Sequence, residues 1–143
     1  MSHIVQVKNV EMTDQVAREM AVGRMENARY VKPARTKEQI RRGEWETAQS
    51  EAEATGKHDM YGSQTAVGVG VKFDGWAHPV VITTDGGQAQ YDSYGAQSGT
   101  RHAIDELTAY YASEKAKIDA QLRGICLEEV ETEDEIKLVA MVD

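Results

Sequence analysis

The part of the chain that most restricts its fold is residues 65–94, which contain three successive strand signals. Residues 65–73 alternate valine with alanine or glycine, and a period of two is typical of a β-strand. Pro79 opens a second, β-branched stretch at a strand start, where proline is tolerated. Asp85-Gly86-Gly87 favours a tight turn into a third alternating stretch, residues 89–94. We therefore expect three consecutive strands here. The first has a glycine-lined face that a helix, another backbone or a ligand can approach closely.

The residues before this region predict a strand and a short helix. Ile4 to Val10 is short and rich in β-branched residues, as an opening strand would be. Thr13 is a suitable N-cap and Gly23 a suitable C-cap for a helix between them.

The residues after it predict a long helix and a hairpin. Ser98 is a suitable N-cap, apolar residues recur at helical spacing, and Gly124 ends the pattern. Apolar residues then alternate on two arms, residues 125–127 and 136–142, around a polar turn at 131–135.

Residues 24–60 differ from the rest because they are polar, charged and poor in apolar periodicity. Thr36 with Gln39 three residues later is the pattern of a capping box, which predicts a helix start. Gly43 weakens that helix by about 1 kcal/mol relative to alanine. Its apolar residues would be Ile40, Trp45, Ala48 and Ala52. We interpret residues 24–60 as a charged insertion, either helical or disordered, within a single domain of residues 1–143.

The order of these elements predicts an α+β fold, with a mainly antiparallel sheet and helices on one face. The order also contains a βαββαβ core, so a ferredoxin-like topology is one option. A chain of 143 residues has the size of one domain and can bury a core without covalent staples.

Three features predict a cytoplasmic protein with no membrane contact. The single cysteine, Cys126, excludes an intramolecular disulfide and fits a reducing compartment. No apolar run approaches the roughly 20 residues that span a bilayer. The N-terminal residues 1–6 lack the basic and apolar regions of a secretory signal.

One candidate ligand site lies where the third strand leads into the long helix. Asp92 and Tyr94 share one strand face, and Tyr91 points the other way. Arg101 falls in the first turn of the helix, where free backbone N–H groups attract anions. A small anion or nucleotide-like ligand could stack there. The alternative is that Asp92 bonds nearby backbone and the tyrosines pack into the sheet.

Trp76 and His78 form a second candidate, just before the second strand. They could make a stacking platform for a ligand. The alternative is a tryptophan packed over the sheet edge with the histidine in solvent, since tryptophan is highly buried on average.

The charge is unevenly distributed, and this argues against nucleic acid as a partner. Residues 1–60 hold ten basic and ten acidic side chains, whereas residues 61–143 hold six basic and fourteen acidic ones. The second part should repel nucleic acid at long range.

Residues 29–42 carry six positive charges and one negative charge, so they could still contact phosphates. They could equally pair with the acidic residues that follow, within the chain or across a subunit interface. The partner-binding candidates are Tyr30, Arg35, Arg41, Arg42 and Trp45.

No motif indicates catalysis, a metal or a cofactor. The four histidines, at positions 3, 58, 78 and 102, have no ligand spacing, and the acidic residues lack the calcium-loop pattern. No phosphate loop or dinucleotide-binding glycine pattern is present. Without a nucleophile–base pair in the sequence, a hydrolase or transferase ranks last among the functions we consider.

Several short motifs in fixed order are shared with a known family. They are Met1-Ser2-His3-Ile4, Gly75-Trp76, Pro79-Val80-Val81, Tyr91-Asp92-Ser93-Tyr94-Gly95, Leu107, Tyr110, Glu114-Lys115-Ala116-Lys117, Gly124 and Ile136-Lys137-Leu138. Through residues 1–23 and 61–143 the chain resembles the plastid hypothetical reading frame 35 family, a domain of unknown function. The resemblance implies one compact domain of bacterial, phage or plastid origin, located in the plastid stroma if plastid-encoded. It implies no activity or cofactor.

Two functions follow as expectations. The first is a non-catalytic binding or adaptor domain that acts as a small homo-oligomer and uses the insertion and a sheet edge for contacts. The second is a protein that binds a small nucleotide-like or anionic ligand, for example one encoded by a phage.

Overall fold

The structure is a computed structural model that describes residues 4–6, 11–33, 36–42, 44–60, 64–92, 100–131 and 136–141. Its strands are β1 (Ile4–Gln6), β2 (Ala28–Tyr30), β3 (Thr55–Asp59), β4 (Thr65–Phe73), β5 (Val80–Thr83), β6 (Ala89–Asp92), β7 (Leu127–Glu131) and β8 (Ile136–Ala140). Its helices are α1 (Gln15–Arg24), α2 (Lys37–Arg41), α3 (Glu51–Ala54) and α4 (Thr100–Leu122).

Strand β4 is the centre of a six-stranded sheet in the order β1-β6-β5-β4-β2, with β3 also paired to β4. One edge of β4 pairs with β5, and the other is shared by β3 and β2, which follow one another along it. The three consecutive strands predicted from residues 65–94 are therefore β4, β5 and β6. The predicted turn between the last two contains Gly86 and Gly87, both with positive φ.

The helices cover one face of this sheet, as predicted for an α+β fold. Val71 of β4 lies opposite Val80 of β5, and by the strand period both point to the face that carries the main core. Ala17 and Ala21 of α1 and Leu107 of α4 are buried in the same core. Helices α1 and α4 also pack against each other.

The ferredoxin-like option is not what forms. Every strand pair among the described residues is antiparallel, and β1 lies at the sheet edge beside β6. In a βαββαβ arrangement the strand after the second helix joins the same sheet as the first strand, whereas β7, which follows α4, pairs with β8 in a separate sheet.

Residues 24–60 differ from the helical or disordered insertion that we expected. They supply β2 and β3, which together pair along one whole edge of β4. The predicted capping box is confirmed, because Thr36 and Gln39 exchange hydrogen bonds of 3.1 Å. The helix that it opens ends at Arg41, however, so Trp45 and Ala48 lie outside it and are buried. The polar sequence gave no strand signal here, because a strand at the edge of a sheet requires only a few buried side chains.

Two helix ends differ from the predicted positions, and one is as predicted. The N-cap of α1 is Asp14 rather than Thr13, with its carboxylate accepting from the Ala17 N–H at 3.0 Å. The helix continues through Gly23 to Arg24. Gly124 ends α4 as predicted. The N–H groups of Gly124 and Ile125 reach back to carbonyls in the last turn, as in a Schellman motif. Ser98, the predicted N-cap of α4, lies outside the described residues.

The predicted terminal hairpin forms a separate two-stranded sheet of β7 and β8, with Glu129 opposite Leu138. It packs against α4. Within the described ranges, no helix is long and apolar enough to cross a membrane.

Candidate functional site

Tyr91, a residue of the first predicted ligand site, belongs to the core, and Trp76 of the second site packs against it. Tyr91 is buried, and its ring centroid lies 5.9 Å from that of Trp76. Trp76 is half-buried and lies 5.0 Å from Phe73, again between ring centroids. The aromatic rings therefore pack on one another and leave no open stacking face between Trp76 and Tyr91.

The acidic and basic members of that site are only partly described. Asp92 pairs with Ile4 at the end of β6, and Arg101 lies in the first turn of α4 as predicted. Tyr94 lies outside the described residues, as do the side chains of Asp92 and Arg101.

His78 contacts a residue that we had assigned to a different surface. Its ring centroid lies 6.0 Å from that of Trp45 in an edge-on arrangement. The Trp45 indole N–H donates to the carbonyl of Ala77 at 3.2 Å, and the side chain is only 6% exposed. Trp45 therefore anchors residues 44–50 to the β4–β5 connection and is not available to a partner.

Tyr30, another partner-binding candidate, is half-buried in a polar network. Its hydroxyl donates to Glu51 at 3.2 Å, and Glu51 also accepts two hydrogen bonds from Arg18 at 2.9 and 3.0 Å. Burial, reinforced by the Glu51 charge, raises the pKa of Tyr30. This network ties α1 to α3 and β2, so we assign Tyr30 a structural role.

Arg41 and Arg42 are the partner-binding candidates that remain exposed. Arg42 forms an ion pair with Glu38 one turn earlier on α2. Arg35 lies outside the described residues.

The glycine-lined face of β4 is occupied by a side chain of the chain itself. His58 of β3 is fully buried, and a β-carbon at Gly70 would come 2.3 Å from its Cε1. Its Nε2 lies 2.7 Å from the carbonyl oxygen of Ala54. Burial lowers the pKa of His58.

Nowhere in the described part of the chain do three histidine, cysteine or acidic side chains cluster so as to hold a metal ion.

The sequence interpretation missed an exposed apolar surface at the end of α4 and on the terminal hairpin. Leu122 is 82% exposed, Met141 is 55% exposed and Val139 is 49% exposed. We call this region the hairpin surface, and it consists of Leu122, Ile125, Val130, Val139 and Met141. The signal was present in the sequence, because apolar residues near the C-terminus fall on both strand faces: Ile136 and Leu138 on one, Val139 and Met141 on the other.

A cavity of 490 Å³ opens beside the hairpin surface, where α4 turns into β7. Its lining consists of Lys117, Gln121, Gly124, Ile125, Cys126 and Leu127. The Lys117 amine lies 2.9 Å from Glu114 and 3.6 Å from Glu129, so its charge is already matched by carboxylates.

An ion-pair network fixes the hairpin to the helices. Arg24 donates to both carboxylate oxygens of Glu129, at 2.8 and 2.7 Å, and to Glu114 at 3.0 Å. The Ser113 hydroxyl also donates to Glu129. Hydrogen bonds from Arg24 and Ser113 outweigh desolvation and lower the pKa of Glu129 to about 2.

No family model, no curated protein and no solved structure matches the chain. The resemblance to the plastid hypothetical reading frame 35 family therefore stays a hypothesis, as do the origin and compartment that it implies.

Proposed function

We propose that the protein is a non-catalytic binding domain that acts as a small homo-oligomer and makes its contacts through the hairpin surface. The observation that carries this proposal is the exposure of large apolar side chains at the end of α4 and on the β7–β8 hairpin. By the strand period Val130, Val139 and Met141 lie on one face of the hairpin, and exposed apolar patches on folded proteins mark interaction sites.

The isolation of the hairpin supports the same function. A two-stranded sheet alone is marginally stable in water, and further strands or a covering layer stabilise it. One face of β7–β8 is fixed by the Arg24–Glu129 ion pair, whereas Val130 and Val139 point to the other, exposed face. A partner on that side would bury them.

Light scattering on the purified protein tests this function. We expect the wild type to have a mass above the 15.8 kDa of one chain. The variant Val139→Lys should have the mass of a single chain, because a charge would be placed in the contact. Val67→Lys is the matched control, since Val67 is equally exposed but lies on β4. A wild-type mass of one chain, or an oligomer that survives Val139→Lys, contradicts the proposal.

Small-molecule binding is the second candidate, and the cavity beside Cys126 supports it. Its volume of 490 Å³ lies within the range of ligand pockets, which is about 300–1,000 Å³. The ion pairs of Lys117 argue against an anionic occupant there. A thermal-shift screen with uncharged nucleosides and sugars tests this cavity, and one with nucleotides and sugar phosphates tests the predicted site near Arg101. A Gln121→Trp variant, which would fill the cavity, should abolish only a response that arises there.

A further inference from the structure

The outer edge of β8 is the feature from which we infer a specific mode of association. Among the described strands, β8 pairs only with β7. The Met141 N–H donates to the Cys126 carbonyl at 2.8 Å, so these two residues form a hydrogen-bonded pair. Hydrogen-bonded and non-hydrogen-bonded pairs alternate along an antiparallel hairpin, so Val139 and Lys137 also direct their backbone groups toward β7. The backbone groups of Ile136, Leu138 and Ala140 consequently point away from β7.

Charge distinguishes the two edges of the hairpin. Three of the five residues of β7, in the sequence LEEVE, are glutamates. The sequence of β8, IKLVA, has one lysine and no acidic residue. Two β7 edges would bring several glutamates together, whereas each β8 edge has a single lysine and two such edges can pair without opposing their lysines.

We propose that two copies of the chain pair through their β8 edges, antiparallel about a twofold axis at Leu138, to form a four-stranded sheet. This rests on the proposed function, because it specifies how the homo-oligomer forms. A twofold contact closes on itself and gives a dimer rather than a filament.

The register follows from overlap and charge. With the axis at Leu138, all five residues of β8 are paired, and Lys137 lies opposite Val139 of the second copy. A shift that centres the axis on Lys137 would place two lysines opposite each other. In the proposed register the aliphatic stem of Lys137 covers Val139, which is otherwise half exposed.

Cysteine cross-linking tests the register in the full-length chain. Lys137→Cys and Val139→Cys are made separately in a Cys126→Ser background, since Cys126 is exposed. Opposed residues of a non-hydrogen-bonded pair are about 4.5 Å apart between α-carbons, which is within disulfide range. In either variant alone, the two cysteines of a dimer would be offset by two residues, about 8 Å apart, which is too far to bridge.

We expect an equimolar mixture of the two variants to give several-fold more disulfide-linked dimer under mild oxidation than either variant alone, measured by non-reducing electrophoresis. Equal cross-linking in all three samples would overturn the β8 pairing. If the mixture shows no excess while light scattering still reports an oligomer, the β8 pairing fails and the proposed function stands. If the protein has the mass of one chain, both fail.

Discussion

Arg24 at the end of α1 and Glu129 in β7 share two hydrogen bonds of 2.8 and 2.7 Å, although 105 positions separate them in the chain. The Arg24 guanidinium also lies 4.1 Å from the ring centroid of Tyr110. Since the hairpin pairs with none of the other described strands, this contact is a principal support of its position. We expect Arg24→Ala to lower the free energy of unfolding by about 2 kcal/mol, the usual contribution of hydrogen bonds to charged groups. Urea denaturation measures this loss.

Hydrogen exchange should show where Arg24→Ala acts, with protection falling first at the amides of β7 and β8. Arg42→Ala is the control. Its ion pair with Glu38 is exposed and joins residues only four positions apart, so the loss should stay below about 0.5 kcal/mol. Equal losses for the two variants would show that the hairpin contact has no special weight.

The same pair makes stability depend on acidity. The pKa of Glu129 falls from its ordinary value of 4.5 to about 2, chiefly through Arg24. A depressed carboxyl pKa stabilises the fold fully above pH 4.5 and loses that contribution as the pH falls toward 2. The unfolding free energies of the wild type and Glu129→Gln should therefore converge between pH 4.5 and 2.5. A difference that stays constant across that interval would rule out Glu129 as the titrating group.

The local signals in the sequence were sufficient for much of the fold. Alternation in residues 65–73 and the glycines after Asp85 predicted β4 and its neighbours, and Gly124 ended α4 where its left-handed conformation was needed. These features depend on residues that are close in sequence. The strands β2 and β3 were missed because their pairing to β4 is set by tertiary contacts, such as Trp45 on Ala77. Tyr30 was predicted to contact a partner because its hydrogen-bond acceptor, Glu51, is 21 positions away and could not be identified from the local sequence.

The buried side chain of His58 predicts a second pH range, near neutrality, in which the free energy of unfolding depends on pH. Burial lowers its pKa below the ordinary value of 6.5, with the Ala54 carbonyl opposing the shift. The folded state therefore binds this proton less readily than the unfolded chain, and stability declines as the pH falls below 6.5. His58→Gln should show a flatter decline between pH 7 and 5 in urea denaturation, because glutamine binds no proton in this range. Its amide can still donate to the Ala54 carbonyl, which preserves that contact. An unchanged slope would mean that His58 does not contribute in this pH range.

The contact between His58 and Gly70 should tolerate no side chain. A β-carbon at Gly70 would lie 2.3 Å from Cε1 of a buried imidazole, so Gly70→Ala must displace the ring. We expect a loss of about 1–3 kcal/mol, typical of overpacking, in thermal or urea unfolding. Gly23→Ala is the matched control. Nothing lies within 4 Å of a β-carbon there, and Gly23 is inside α1, so alanine should stabilise by up to about 1 kcal/mol. Gly70→Ala with wild-type stability would indicate that His58 has another position.

Trp45 provides a test of whether residues 24–60 act in binding or in folding. Its buried indole donates to Ala77 and lies against His78, so Trp45→Ala should cost about 3–5 kcal/mol, as for other large-to-small core changes. Trp45→Phe keeps the ring contact and loses the hydrogen bond, for about 0.5–1.5 kcal/mol. Both variants should retain the wild-type mass in light scattering under conditions where they remain folded. If Trp45→Ala instead dissociates the protein without lowering its free energy of unfolding, this tryptophan contacts a partner and the hairpin surface is not the whole interface.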